Sequence, residues 1–290
     1  MRMGFIGAGV VGTALGKLFG ERGFDIVGYY SRSVSSAARA AEITNSRYFK
    51  SKAALLENID TLFVTTNDDA ITPVVEQLSE EGLINGRHTV IHCSGSLTLS
   101  VLAPAREDGA RVLSLHPLQS CASAEFAVEK LPGAVFSIEG GNDARVIGVK
   151  LVEALGAIYF FIDCDKKALY HAAAVVASNY LVTLIDLSKR LMVEAGMPED
   201  QFVPAIYPLI EGTLANIEKL GIPDALTGPI ARGDVETIKD HLARIAKEVK
   251  DADSLYRTLG KETIGLALEK GSLSNEKGAV IKKLLENGGV

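Results

Sequence analysis

Short apolar runs alternate with segments of helical period along the first half of the chain. Met3–Ile6, Phe24–Tyr30, Thr61–Thr65, Thr89–Cys93, Arg111–Leu115, Ala134–Ile138 and Ala157–Ile162 are predicted as strands. Val11–Arg22, Val34–Ala41, Ile71–Leu83 and Ala144–Leu155 repeat apolar residues every three or four positions and are predicted as helices. Such alternation implies βαβ units and an α/β fold: a doubly wound, mostly parallel sheet covered on both faces. After residue 163 the strand period vanishes. Lys166–Ala195, Pro198–Leu220, Val235–Ala246, Ala252–Lys270 and Asn275–Glu286 are predicted helices, giving an all-helical second part. The polar join at Asp163–Lys167 sets the expected domains at 1–163 and 164–290, with Gly288-Gly289 a frayed tail.

The segment Ala168–Ile185 is apolar over most of its 18 residues. His171, Ser178 and Asn179 interrupt it and Asp186 follows, so it is expected to be a buried helix rather than a membrane span. The 290 residues suffice for about two domains with real cores. With 47% hydrophobic and 23% charged residues, a disordered chain is excluded. A net charge of −6 without a basic patch speaks against a nucleic-acid partner. Cys93, Cys121 and Cys164 are too widely spaced for a CxxC site, and no His, Cys or Asp cluster has metal-ligand spacing. The start of the chain lacks the apolar segment of a signal peptide, so a cytoplasmic protein is expected.

The sharpest motif is Gly7-Ala8-Gly9-Val10-Val11-Gly12, between a strand and a helix. Gly7 permits the tight turn, Gly9 lets backbone approach a pyrophosphate, and Gly12 lets the helix pack close to the strand. The phosphates would sit at the helix N-terminus, where free N–H groups favour an anion. The second strand ends Ser31-Arg32-Ser33, without the Asp or Glu that would hold a ribose 2′-hydroxyl. Arg32 can instead fork onto a 2′-phosphate with Ser31 and Ser33 donating, so NADP is expected over NAD. Alternatively Arg32 is solvated and Ser33 only caps the next helix. Two more strand ends, Thr66-Asn67-Asp68-Asp69 and His92-Cys93-Ser94-Gly95-Ser96, should face the cofactor; Thr66, Asn67, Asp68, Ser94 and Gly95 are the candidate contacts.

Hydride transfer needs a proton donor or acceptor, and histidine titrates near neutral pH. His88 and His241 are expected to be exposed, and His92 to be structural within its strand. His116, in His116-Pro117-Leu118-Gln119, should lie at the sheet's carboxyl edge. His171, Ser178, Asn179 and Asp186 follow at offsets of 7, 8 and 15 on one apolar helix. They form a polar seam that needs partners, whether substrate, other side chains or water. Thr227, Gly228 and Arg232 lie in a turn-rich loop, Leu226–Asp234. Arg232 can clamp a carboxylate or form a surface ion pair.

Taken together, Gly7–Gly12, Ser31-Arg32-Ser33, His92–Gly95, His116–Gln119, Tyr170–Ala173 through Ser178-Asn179-Tyr180, and Leu226–Asp234 resemble one family. It is the family of Rossmann-like proteins with a C-terminal domain of unknown function 2520. The resemblance spans nearly the whole chain. It implies an NADP oxidoreductase, a helical second domain like the C-terminal domain of 6-phosphogluconate dehydrogenase, and a homodimer formed through that domain. Some similar proteins are ketopantoate reductases, and more distant likeness runs to pyrroline-5-carboxylate reductase. The His116-Pro117 pair is similar to the His-Pro segment of prephenate dehydrogenases, where that histidine is catalytic. Ordinary ketopantoate reductase has a lysine on the helix after the Rossmann domain and an asparagine one turn on. Here Lys166 and Lys167 precede the helix face that His171 and Asn179 occupy. The expectation is an NADP-dependent reductase of a small carboxylate-bearing ketone or imine. His116 or His171 would supply the proton, Asn179 and Ser178 would orient the carbonyl, and Gln119, Thr227, Gly228 and Arg232 would hold substrate. The alternatives are a non-catalytic NADP-binding sensor or scaffold, and a dehydrogenase working in the oxidative direction.

Overall fold

The computed structural model describes residues 1–286; the Gly288-Gly289 tail lies outside them. The chain packs as two compact units, Met1–Asn179 and the residues from Tyr180 on.

In the first unit β1 (Arg2–Ile6) leads into α1 (Val10–Glu21), β2 (Asp25–Tyr30) and α2 (Val34–Ile43). The two-residue β3 (Arg47–Tyr48) and α3 (Lys52–Leu56) follow. They are too short to leave a period in the sequence, and the reading above omits them. The chain returns through β4 (Thr61–Val64), α4 (Asp68–Glu80), β5 (Thr89–His92), α5 (Ala103–Glu107) and β6 (Arg111–Pro117). Then come α6 (Ala124–Lys130), β7 (Val135–Gly140), α7 (Asn142–Ala154), β8 (Ile158–Phe161) and α8 (Lys167–Ala177).

The eight strands form one sheet in the order β3-β2-β1-β4-β5-β6-β7-β8. Every pairing is parallel except β6 with β7. Alternate strand residues feed opposite cores. Phe5, Phe63, Ile91 and Leu113 meet Leu15 and Phe19 of α1 and Leu151 of α7 on one face. Leu62, Val64, Val90 and Val112 meet Leu55, Leu56, Ile71, Val75 and Leu78 on the other. The α/β, doubly wound, mostly parallel architecture is the one the alternation implies.

The second unit is helical: α9 (Asn179–Glu194), α10 (Phe202–Leu220), the single turns α11 (Ile222–Ala225) and α12 (Pro229–Arg232), α13 (Val235–Glu248), α14 (Asp253–Glu269) and α15 (Asn275–Glu286). Ile238, Leu242, Ile264, Ala267, Leu273, Ile281 and Leu285 are its main core. Leu187, Ile245 and Ala252 tie α9 to α13.

Two expectations are corrected. Ala168–Ile185 is not a buried helix. The helical run breaks at Ser178, only Lys167 of α8 is buried, and Leu169 and Val182 are 72% and 68% exposed. Apolar composition says that a helix face seeks cover; it does not say that the same chain supplies it. By length and composition alone, Cys164–Glu194 is also long and apolar enough to cross a membrane. His88 is not exposed either. The turn before β5 folds its ring inward, where Nδ1 accepts from the Asn85 amide (3.2 Å) and Nε2 lies 3.3 Å from the Leu56 carbonyl. His241 is exposed as expected.

Candidate active site

The chain enters the sheet at its centre, winds outward through β2 and β3, and resumes on the other side at β4. The loops after β1 and β4 therefore diverge and leave a crevice at the strands' carboxyl ends. Gly7 turns the chain there with φ +104°, and a Cβ on it would lie 2.6 Å from the Thr65 carbonyl carbon. A Cβ on Gly12 would lie 2.3 Å from Thr65 Oγ1, which donates to the Gly7 carbonyl at 2.9 Å. No side chain larger than hydrogen fits either place. Gly9 is the N-cap of α1 and makes no side-chain capping bond, so the first amides of α1 remain available to an anion. Val10 and Val11 open α1 and pack against the core.

A groove of about 870 Å³ opens beside this turn, lined by Gly7, Ala8, Gly9, Ser31, Arg32, Thr66 and Asn67 among others. Thr66 Oγ1 is buried there without a hydrogen-bond partner. Ser33 does not line the groove. Its hydroxyl caps α2, accepting from the Ser36 amide at 3.2 Å, and Ser36 lines the groove in its place. Lys52, at the start of α3, adds a second cation to the wall and bonds to the Gln77 side chain. The short α3 gave no sequence signal that could have placed it.

Past β5 the chain turns through Ser94-Gly95-Ser96. Asp68 does not face the groove: its carboxylate accepts from Ser94 Oγ at 2.7 Å and Ser96 Oγ at 2.8 Å, tying the loops after β4 and β5 together. His92 is fully buried, as a structural residue should be; its Nδ1 accepts from the Ser94 amide, while its Nε2 has no partner. His116 stands next to the end of β6, and His171 reaches it from α8, the two rings nearly perpendicular with centroids 6.5 Å apart. A Cβ on Gly95 would lie 2.6 Å from His116 Nε2 and 2.9 Å from His171 Nδ1, so both nitrogens border the space this glycine leaves open. His171 Nδ1 is buried without a partner. His116 Nδ1 lies 2.7 Å from the Tyr170 hydroxyl.

Near the pair sits a group that the sequence reading named only as preceding the helix face. Lys167 is fully buried; its ammonium lies 3.1 Å from Glu139 Oε2 and donates to Ser114 Oγ. Ser114 and Glu139 are directly paired across β6 and β7, so both reach one face of the sheet. Glu139 Oε1 also accepts from the Leu99 amide at 3.1 Å. The readable signal was Glu139 itself, an acid inside an otherwise apolar strand, which needs a buried partner. Burial pushes the Lys167 pKa down against the pull of Glu139. Burial first, then Lys167, lowers His92 to about 3. Burial, then Lys167 and His171, lowers His116 to about 4. Burial lifts the Cys93 thiol to about 12. His92 and His116 are therefore neutral imidazoles at neutral pH.

The remaining expected residues lie as follows. Gln119 is exposed, its side chain accepting from the Ser120 amide at 2.9 Å. Ser178 interrupts the helical run and Asn179 opens α9, so the expected polar seam is not one continuous helix face. Asp186 pairs with Arg190 at 3.2 Å. Thr227, Gly228 and Arg232 belong to the second unit, where Gly228 (φ +98°) precedes α12 and Arg232 ends it, exposed.

Comparison with known proteins adds to this geometry. A Rossmann-like domain matches residues 1–117, and a domain of unknown function (DUF2520) matches residues 134–263. Protein TM1727 from Thermotoga maritima is 29% identical with a TM-score of 0.73, over 91% of this chain and 99% of that one. BF3122 from Bacteroides fragilis, assigned as an NADP oxidoreductase, is 24% identical with a TM-score of 0.72, over 91% of this chain and 98% of that one. An imine reductase from Myxococcus stipitatus, solved with NADP+, shares the fold at 15% identity and a TM-score of 0.65, over 98% of this chain and all of that one. No curated protein matches the sequence.

Proposed function

We propose that this chain, which belongs to the family of Rossmann-like proteins with a DUF2520 domain, is an NADP-dependent reductase of a small carboxylate-bearing ketone or imine. The observation that carries this reading is the presence in one unit of a glycine turn with open helix amides and a half-buried histidine pair bordering Gly95. The residues present fit a nicotinamide dinucleotide. The Gly7 and Gly12 positions admit no Cβ, Thr66 Oγ1 is an orphaned donor on the groove wall, and Arg32 stands where an NAD site would carry an acid. When bound, such a cofactor supplies hydride.

The chain's own residues would then act in three ways. The amides at the start of α1 hold the diphosphate. Arg32, with Ser31 and Ser36 beside it, holds a 2′-phosphate by forked, charge-assisted bonds, and this favours NADP over NAD. His116 Nε2 and His171 Nδ1 border the space by Gly95 where a polar substrate group is turned over. Asn179, Ser178 and Arg232 are proposed as substrate contacts from their residue types, as is a homodimer covering the exposed apolar residues of α8 to α10. Leu169, Val182, Val203 and Leu209 are large, apolar and exposed, a pattern that marks an interaction surface.

The test follows NADPH absorbance with pure protein across 2-oxo acids, ketopantoate first, and cyclic imines. NADPH consumption dependent on one of these substrates is expected. Tight NADPH binding without consumption across the panel would replace the reductase with a nucleotide-binding sensor.

A further inference from the structure

The space beside Gly95 is bordered by two imidazole nitrogens that differ in one respect. His171 Nδ1 has no partner, whereas the far side of the His116 ring is tied to Tyr170, with Nδ1 2.7 Å from the phenol oxygen. The tyrosine ring is held edge-on between His116 and Phe160, each at a centroid distance of 5.6 Å, so its hydroxyl has a fixed place. Burial raises the Tyr170 pKa, so the phenol keeps its proton at neutral pH. A neutral imidazole carries one N–H and one bare nitrogen, and the bond made by one nitrogen decides the state of the other.

We propose that Tyr170 is a positioning and proton-relay residue: its hydroxyl donates to His116 Nδ1, which leaves the ring proton on Nε2, aimed into the space beside Gly95. There the oxygen or nitrogen of a polar substrate accepts it. The chemical step rests on the reductase reading above; the tautomer does not.

The surroundings of His116 explain why a relay is needed. Lys167 and His171 on α8 disfavour a charged ring, burial disfavours it more, and Asp68 on α4 opposes them incompletely. His92 on β5 is itself neutral, and the Glu139 carboxylate on β7 is occupied by Lys167. With a pKa of about 4, only roughly one ring in a thousand is an imidazolium at pH 7. A proton leaving Nε2 must therefore be replaced through Nδ1. As hydride adds to the substrate's carbonyl or imine carbon, the C=O or C=N electron pair moves onto the heteroatom, which takes the Nε2 proton. The phenol proton crosses to Nδ1, the imidazole stays neutral, and the phenolate regains a proton from water.

Tyr170→Phe keeps the ring against His116 and Phe160 and removes only the hydroxyl. In cofactor-free protein, nitrogen-15 spectra of His116 should show a single Nε2–H tautomer, turning to a mixture in the variant. In turnover, kcat should fall about 100-fold with KM and the NADPH Kd within about threefold, as expected for loss of general-acid function. The pH profile separates this from a packing role. Wild-type kcat should be flat over about pH 6–8, while that of the variant should rise about tenfold per unit as pH falls, because it must wait for the imidazolium. An Nδ1–H tautomer in the wild type, or a variant with a flat profile, overturns the proposal. If the wild-type protein reduces nothing, the reductase reading fails and the spectra alone decide the Tyr170 assignment.

Discussion

Replacing Lys167 with methionine removes one partner of a buried ion pair and strands the other. At 3.1 Å, an effective dielectric of about 20 gives an attraction of about 5 kcal/mol between the Lys167 ammonium and Glu139. Breaking a buried pair by removing one member typically costs about 3–5 kcal/mol, because the remaining charge keeps its desolvation cost without compensation. Lys167→Met should therefore lower stability by roughly 3–5 kcal/mol, or the thermal midpoint by roughly 6–20 °C for a unit of this size. Lys167→Met combined with Glu139→Gln should recover at least half of that loss. The glutamine keeps an acceptor for the Leu99 amide but no charge to strand. Urea unfolding of the four proteins in the cycle measures both numbers. The same variant has a second readout. Lys167 is one of the charges that depress His116, so the His116 pKa should rise from about 4 in Lys167→Met, measured by NMR titration. A single variant costing less than about 1 kcal/mol, or a double variant no more stable than the single, would refute this account of the pair.

Three further outcomes follow from the same geometry. Arg32→Ala should weaken NADPH binding by about tenfold or more and NADH binding little, since only the former has the 2′-phosphate; calorimetry showing equal losses would sink the assignment of Arg32. Gly95→Ala places a carbon 2.6 Å from His116 Nε2. It should cut turnover about 100-fold, since misplacement near the reacting atoms is costly, while leaving NADPH affinity within about threefold by fluorescence titration. His92 links stability to pH. Its folded-state pKa, about 3, lies below the unfolded value of 6.5, so its contribution is complete above about pH 6.5 and declines as pH falls toward 3. Between about pH 7 and pH 5.5 the wild type should lose about 1.3 kcal/mol through this one group. His92→Asn should lack that part of the slope in urea unfolding at the two pH values.

The alternation of period two and period three to four was enough to find β1, β2, β4, β5, β6, β7 and β8 with their limits displaced by a few residues at most. It also found α15 at Asn275–Glu286. It failed for β3, α3, α5 and α6, which have seven residues or fewer and so complete no more than two turns of any period. The glycine turn was legible because each of its glycines answers a local demand: the φ of Gly7 and the missing Cβ of Gly12 are conditions on the chain next to β1. The histidine pair was legible only as two candidates far apart in the chain. Nothing in the sequence joined His116 to Tyr170, Glu139 to Lys167 or Gly95 to both histidines, because those contacts span 20 to 80 residues and arise from strand order.

The sequence by itself thus determined the element types, the α/β class and the phosphate-binding turn, all set by neighbours within a few residues. Tertiary structure alone decided the charge states at the site, the engagement of Asp68 with Ser94 and Ser96, and the exposure of α8. Each of these depends on which distant groups displace water from a side chain. That displacement depends on how the strands are ordered and paired, which the local period of hydrophobic residues does not encode.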